Sequence, residues 1–247
     1  RKPNLVIDIK KIVELNSINE ISDCEFEIGA SVSGAILNRN SKFAKLWPGV
    51  LEAFRLIGSE QIQGRASLGG NLCNGSPAGD SVPALIAAGC KAVIAGPKGR
   101  KDVPIENFHL GPGKTVLENG EMLVSLKFPK RVSNSADAYL RMTPRTEMDI
   151  AVVGCGVNIS LENDICTHAR VSLGAVAPTP LLIKEASDIM VGSKLDDDTL
   201  NRVSKMCMDA CNPINDKRGT IDYRTKVAGV LFKRATKLAA ERIGGNK

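Results

Sequence analysis

The sequence predicts an α+β chain of two packed units, and three observations carry that prediction. Strand-like runs of period two and helical stripes of period 3.6 both occur along the 247 residues. In the second half, two apolar strand-like runs flank a Glu162-Asn-Asp turn, the pattern of an antiparallel hairpin, and two helices follow. Between the halves, Lys130–Ala136 is polar, with Ser133, Asn134 and Ser135. It marks a boundary between a unit over 1–132 and a second over 133–247.

Taken in order, Leu5–Ile9 reads as a short buried strand and Phe26–Ala30 as a second. Ser31 is placed to cap a helix carrying Val32, Ala35, Ile36 and Leu37. From Phe43 to Ile57 the apolar residues fall at 43, 46, 47, 50, 51, 54 and 57, a helical stripe that belongs to the core. Its regular helix starts at Pro48 and stops at Gly58. Val82–Gly89 predicts an Ala-rich helix opening beside Asp80. Lys91–Ala95 is a strand, and Gly96-Pro-Lys-Gly-Arg100 is a hairpin turn. Glu121–Phe128 alternates as a half-buried strand that Pro129 ends. In the second unit, Asp149–Leu161 and Ala169–Val176 form the hairpin, and Ala177-Pro-Thr-Pro180 is a rigid connection. Asp196–Cys211 and Tyr223–Ile243 are helices. Val227, Val230, Leu231, Ala235 and Leu238 make the buried face of the last one, with Lys226, Lys233, Lys237 and Arg242 opposite.

The stretch Gly64–Asp80 is too rich in Gly, Ser, Asn and Pro for a regular helix or a core strand. Gly69, Gly70 and Gly75 allow positive φ or a close approach of ligand to backbone. Ser67, Asn71, Asn74 and Ser76 add neutral donors and acceptors, and Asp80 closes the run with a carboxylate. Exposed N–H groups among small neighbours suit a phosphate-bearing ligand, and a helix opening at Asp80 would aim more of them at the same place. An elaborate surface turn has the same composition, so both readings stand at this point.

Composition excludes several classes. No apolar run approaches a membrane span. The net charge of +6 comes from dispersed Lys and Arg, and aromatics are only 4%, so a nucleic-acid surface is not supported. Seven cysteines (24, 73, 90, 155, 166, 207 and 211) include no Cys-x-x-Cys pair; they read as small buried residues in a reducing compartment, the cytoplasm. With His109 and His168 the only histidines, neither a metal site nor a catalytic triad has its residues. Gly113-Lys-Thr115 lacks the earlier glycine of a P-loop, since Phe108 stands there, and Gly154-Cys-Gly156 lacks the third glycine of a dinucleotide fingerprint, since Ile159 does. The start, Arg1-Lys-Pro, reads as the interior of a longer polypeptide.

Ordered segments nevertheless resemble one family along the whole chain. They are Gly58-Ser-Glu-Gln-Ile-Gln-Gly-Arg65, Ala66-Ser-Leu-Gly-Gly-Asn-Leu-Cys-Asn-Gly-Ser-Pro-Ala-Gly-Asp80, Phe108-His-Leu-Gly-Pro-Gly-Lys-Thr115, Glu121-Met-Leu-Val-Ser-Leu, Asp149-Ile-Ala151, and Ile221-Asp-Tyr-Arg224 with Lys233-Arg-Ala235. The sequence resembles the FAD-binding medium subunit of the molybdenum hydroxylases, of carbon monoxide dehydrogenase and xanthine dehydrogenase type. Collinearity makes this more specific than any single motif.

The resemblance implies an FAD-binding domain of the vanillyl-alcohol-oxidase-like (PCMH) type, followed by an α+β domain with an antiparallel sheet and helices. It implies FAD contacts from Ser67, Gly69, Gly70, Asn71 and Asn74, with Asp80 bonding the hydroxyl-bearing chain of the cofactor. Leu123 matches a position packed near the cofactor, and Arg141 a basic position near the isoalloxazine ring. The chain itself would supply no catalytic side chain and no metal ligand. The molybdenum cofactor and 2Fe-2S clusters would lie on a large and a small partner subunit, in a dimer of heterotrimers. The family's first flavin loop, of the type Ala-Gly-Gly-Thr-Asp-Leu, precedes the strand that Leu5–Ile9 resembles, and is expected upstream of Arg1. The function implied is electron transfer from iron–sulfur clusters through FAD to an external acceptor. The alternatives are a free-standing FAD-dependent oxidoreductase of the same fold and a cofactor-free assembly subunit.

Overall fold

Two hydrophobic cores organise the chain, each built where a sheet buries one face under helices. The computed structural model describes residues 3–23 and 25–244; Cys24 lies outside them. In the first unit, β1 (Ile18–Ser22) and β2 (Glu25–Gly29) lead into six short helices. These are α1 (Gly34–Leu37), α2 (Ser41–Leu46), α3 (Pro48–Arg55), α4 (Glu60–Gln63), α5 (Leu68–Cys73) and α6 (Ser81–Ala87). Then come β3 (Lys91–Gly96), β4 (Gly99–Pro104), the small hairpin β5 (His109–Gly111) and β6 (Lys114–Thr115), and β7 (Met122–Phe128). The main sheet has the order β1-β2-β7-β3-β4, with every pairing antiparallel.

The stripe from Phe43 to Ile57 is carried by two helices: the one expected from Pro48 forms and ends at Arg55, a separate helix α2 precedes it, and Leu46 and Ile57 are half-buried. Phe43, Trp47, Val50, Leu51 and Phe54 are all buried, and Phe43 packs edge-on between Phe26 and Phe128 at 5.4 and 5.0 Å. Pro48 occupies the first turn of α3, and Gly58 turns the chain with a φ of 63°.

Two expectations in this unit fail. Leu5–Ile9 is not a strand, and Leu5, Val6 and Ile7 are 74%, 81% and 70% exposed. No described strand pairs with these residues, and an apolar run without a partner strand is not held as one. The helix after β2 is capped by Ser33, not Ser31: Ser33 Oγ accepts the Ile36 N–H, and the helix itself begins at Gly34. Gly34 is there for packing, because a Cβ would lie 2.5 Å from Phe54 Cζ.

The second unit contains β8 (Ser135–Met142), β9 (Val153–Glu162), β10 (Ile165–Gly174), β11 (Leu181–Leu182), α7 (Ala186–Met190), α8 (Asp197–Asp209) and α9 (Ile221–Gly244), with sheet order β11-β10-β9-β8. The β9–β10 turn is the one expected: Asn163 and Asp164 take φ values of 49° and 64°, the left-handed pair of a tight two-residue hairpin. Both strands are displaced by four residues from the expected starts, to Val153 and Ile165.

Register divides this sheet into two chemically different faces. Ala136, Ala138, Leu140, Val157, Ile159 and Val171 share the face that packs under α8 and α9. The opposite face carries Asp137, Tyr139 and Arg141 from β8 and meets the first unit. Gly156 on that face lets β9 approach α6; a Cβ there would lie 2.6 Å from the Pro83 carbonyl oxygen.

The buried face of α9 differs from the expected one. Val230 is 44% exposed, while Arg224, Ala228, Leu231, Phe232, Ala235, Ala239 and Ile243 point inward. Small residues win because α9 lies close to its neighbours; a Cβ on Gly229 would sit 2.5 Å from Ser204 Oγ. Buried Arg224 donates Nη1 to the Val152 carbonyl at 2.6 Å and Nη2 to Asp216 Oδ1 at 2.8 Å. Arg242 is half-buried rather than on the solvated face, paired with Glu52 of α3.

Asp137 is the deepest charge between the units, 2% exposed, accepting the Val50 N–H at 3.1 Å and facing Arg131 at 3.4 Å. Burial pushes its pKa up to about 6, against the pull of Arg131 and Arg242. A carboxyl with a raised folded-state pKa favours folding when protonated, so its contribution falls as pH rises from about 4 to about 6. The stability difference between Asp137→Asn and wild type is therefore expected to shift in favour of the variant by on the order of 1–3 kcal/mol across that window. Urea unfolding of both proteins at pH 4 to 7 measures it; parallel curves would contradict the assignment.

Candidate functional site

The segment expected as loop between Gly64 and Asp80 contains a helix. Its composition hid α5, which forms because Ser67 caps it, with Ser67 Oγ accepting the Gly70 N–H at 3.0 Å. Ser67→Ala should cost about 1 kcal/mol of stability, read from the denaturation midpoint. Leu68 and Leu72 anchor α5 in the first core, where Leu123 of β7 also lies. Gly69 is buried against Ala30, with no room for a side chain: a Cβ would strike the Ala30 carbonyl oxygen and lie 2.7 Å from its Cβ. Gly70 is exposed and meets only Ser67 Oγ, at 3.1 Å. Of the three glycines, Gly75 alone has positive φ, 67°.

Side chains of the segment stitch it together. Asn71 Oδ1 accepts from Ser81 Oγ at 2.8 Å and from the Ser81 N–H at 3.3 Å, joining α5 to the start of α6. The first N–H of α6 is therefore engaged by Asn71 rather than left free. Asn74 closes α5, its N–H bonded to the Gly70 carbonyl, and its side chain is exposed. The β5–β6 hairpin, which resembled the end of a P-loop, buttresses this segment instead. Its Gly113 N–H donates to the Gly75 carbonyl at 2.9 Å, and His109 Nε2 lies 2.7 Å from the Leu72 carbonyl.

Asp80 joins the two units. It accepts from Arg141 Nη1 at 2.8 Å on one carboxylate oxygen and from the Tyr139 hydroxyl at 3.1 Å on the other. All three side chains are buried. Burial raises the Asp80 pKa to about 6, with Arg141 and Tyr139 pulling it down, and burial followed by the Asp80 charge pushes the Tyr139 phenol well above its ordinary value. Arg141 Nη1 also reaches the Asp149 carbonyl at 3.3 Å. Beside Arg141 a cleft of about 650 Å³ opens, with Arg39, Arg55, Gly58, Ser59 and Gln63 on its walls.

Ser67, Gly70, Asn71 and Asn74 thus come together on α5, with Leu123 beneath, and Asp80 pairs directly with Arg141. Tyr139 had not been foreseen. Its signal was the alternation of Ser135, Asp137, Tyr139 and Arg141 against Ala136, Ala138, Leu140 and Met142, which puts Tyr139 on the face of Arg141. Cys90 and Cys155 are buried, and desolvation pushes the Cys73 thiol up to about 11. Among the described residues no cluster of side chains could hold a metal ion.

Residues 1–131 match the family model of the FAD binding domain in molybdopterin dehydrogenase. The chain belongs to that family of FAD-binding medium subunits. Residues 138–239 match the CO dehydrogenase flavoprotein C-terminal domain. The chain is 30% identical to a xanthine dehydrogenase FAD-binding subunit of Escherichia coli O157:H7, over 97% of this chain and 82% of that one. It is 31% identical to the carbon monoxide dehydrogenase medium chain of Hydrogenophaga pseudoflava, over 96% and 82%. A solved structure of the Hydrogenophaga pseudoflava carbon monoxide dehydrogenase superposes with a TM-score of 0.91 at 31% identity, covering 95% of this chain and 81% of the other. A Cu,Mo carbon monoxide dehydrogenase gives 0.90 at 30% identity, covering 94% and 81%. The α+β medium-subunit fold and the oxidoreductase class follow from these matches.

Proposed function

We propose that the chain is the FAD-carrying electron-transfer subunit of a molybdenum hydroxylase complex. Electrons released at a large molybdenum-cofactor subunit would cross the 2Fe-2S clusters of a small subunit and leave from FAD to an external acceptor. FAD supplies the redox chemistry, and the protein supplies position and electrostatics. The reading places FAD against Ser67, Gly69, Gly70, Asn71 and Asn74, with Asp80, Leu123 and Arg141 at the ring and chain side.

The Asp80–Arg141 pair carries this reading, because it fixes a buried cation at the wall of a cleft lined by the ends of α1, α3 and α4, and its carboxylate closes the segment that holds α5. The residues present fit the cofactor. Gly70 leaves the backbone open to close approach, the Leu68 and Gly69 N–H groups at the start of α5 have no intrahelical acceptor, and Asp80 keeps acceptor capacity for a hydroxyl. Asp80, itself held by the Tyr139 hydroxyl, and the Asp149 carbonyl hold the Arg141 guanidinium in one orientation.

We also take 1–132 and 133–247 as the two structural units, supported by cores that fall on either side of that boundary apart from a few residues such as Tyr139. A dimer of heterotrimers in the cytoplasm completes the proposal; among the described residues no helix is long and apolar enough to cross a membrane. The full-length chain, purified with its native neighbours, should show flavin absorption bands and carry molybdenum and iron with it. Flavin without those partners would point to a free-standing oxidoreductase, and absence of flavin to an assembly subunit.

A further inference from the structure

The polar face of the second sheet continues well beyond Arg141. Ser135, Ser160 and His168 stand opposite one another across β8, β9 and β10, and Asp137, Asn158 and Arg170 form the next row. At about 3.4 Å per residue, Ser135 lies about 20 Å along β8 from Arg141. The first row is therefore at the far end of the interface from Asp80.

There the two units part into a cleft of about 730 Å³, whose walls include Trp47, Arg131, Asn158, Ser160, His168 and Arg170. That volume suits a drug-sized or nucleotide-sized molecule. The walls hold more hydrogen-bond donors than the protein uses. Buried Arg131 gives Nη1 to Asn158 Oδ1 at 3.1 Å and Nη2 to Asp137 Oδ1 at 3.4 Å. Its Nε and the Asn158 amide nitrogen make no bond among the described residues. Arg170 gives Nε to the Ile86 carbonyl and Nη2 to Glu106 Oε1, both at 3.0 Å, and Nη1 makes none. Beneath them the Ser160 hydroxyl and the Trp47 indole N–H are buried without any partner, although each residue is more than nine-tenths buried. The wall donors left unpaired, Arg131 Nε, the Asn158 amide and Arg170 Nη1, are the ones that can meet an acceptor from outside the chain.

The local field has the matching sign. Partial desolvation at the cleft wall, then the charges of Arg170 and Arg131, push the His168 pKa below the ordinary imidazole value. Lys130 and Glu162 stand at the walls, while Asp137 and Glu106 are engaged by the two arginines. Guanidinium forks and an imidazole around one space favour a multiply charged oxyanion with several acceptor oxygens. The cleft is several times larger than such an anion alone, which leaves room for an organic portion against Pro129 and Val132–Ser135.

We propose that this cleft binds a phosphate-bearing small molecule of nucleotide size, its phosphate held by Arg131, Asn158, His168 and Arg170. The site is separate from the flavin site and does not depend on it.

The test is calorimetric titration of inorganic phosphate and of AMP into the flavin-loaded full-length protein, alone and in its native complex. Saturable binding is expected, with AMP tighter than phosphate, and with flavin absorbance unchanged. His168→Ala, at an exposed side chain, and Arg170→Lys, which keeps the charge, should each weaken binding by about tenfold. Thermal unfolding of both variants verifies that they fold. Trp47 is the single tryptophan of these residues and lies 4.3 Å beneath the Arg131 guanidinium, so its fluorescence should change on binding and report the location. The proposal is overturned by absence of binding at about 10 mM of either probe, or by equal affinity in wild type and both folded variants. Binding to the lone chain that vanishes in the complex would also overturn it, since the cleft would then be a subunit interface.

Discussion

Asp80→Ala is expected to lower the unfolding free energy by about 3–5 kcal/mol and to release the flavin. The magnitude follows from what is left behind. Arg141 has a side chain only 4% exposed, and Asp80 is its sole carboxylate partner among the described residues. Removing the acid strands a buried guanidinium and leaves the Tyr139 hydroxyl without its acceptor. Asp80→Asn separates the two effects. The amide keeps one acceptor for Arg141 or Tyr139 but not the charge, so its stability loss should be smaller. Chemical denaturation measures the first quantity, and the ratio of flavin to protein absorbance after gel filtration measures the second. A loss below about 1 kcal/mol for Asp80→Ala would mean that Arg141 finds another partner or reaches solvent.

Gly69→Ala and Gly70→Ala should differ in their effect on stability, although the two glycines are adjacent. At Gly69 a methyl group meets the Ala30 backbone, which cannot yield without moving β2 or α5, so a loss of about 1–3 kcal/mol is expected. At Gly70 the methyl meets only the Ser67 hydroxyl, and alanine in a helix gains about 0.5–1 kcal/mol over glycine, so stability should change little. Flavin retention should fall in both, in the first through displacement of α5 and in the second through the added methyl on the exposed side. Equilibrium dialysis against FAD on the folded variants decides this. Wild-type affinity in Gly70→Ala would remove Gly70 from the site.

The parts of this site that were legible in the sequence are local in origin. Ser67, Asn71, Asn74 and Asp80 lie within fourteen consecutive residues, and their composition already suggested a binding loop. What hid α5 was the count of glycines. Gly69 is required by contact with Ala30, far away in sequence, and not by a turn. The Asp80–Arg141 pair spans 61 residues and joins two units, so no local pattern could announce it. Tyr139 was readable in principle, because period-two alternation runs through residues 135–142, but the polar stretch before it masked where the strand begins.

By itself, the sequence determined the α+β class, the helical stripe of Phe43–Phe54, the Asn163–Asp164 hairpin and the order of motifs that marks the family. These depend on periodicity, turn chemistry and collinearity, which are properties of neighbouring residues. Tertiary structure alone decided that Leu5, Val6 and Ile7 stay exposed, that α9 buries Arg224, Ala228 and Phe232 rather than Val230, and that Asp137 and Asp80 become charges between two units. In each case the deciding quantity is what lies opposite: a missing ladder, a close-packed sheet, or a guanidinium from the other half of the chain.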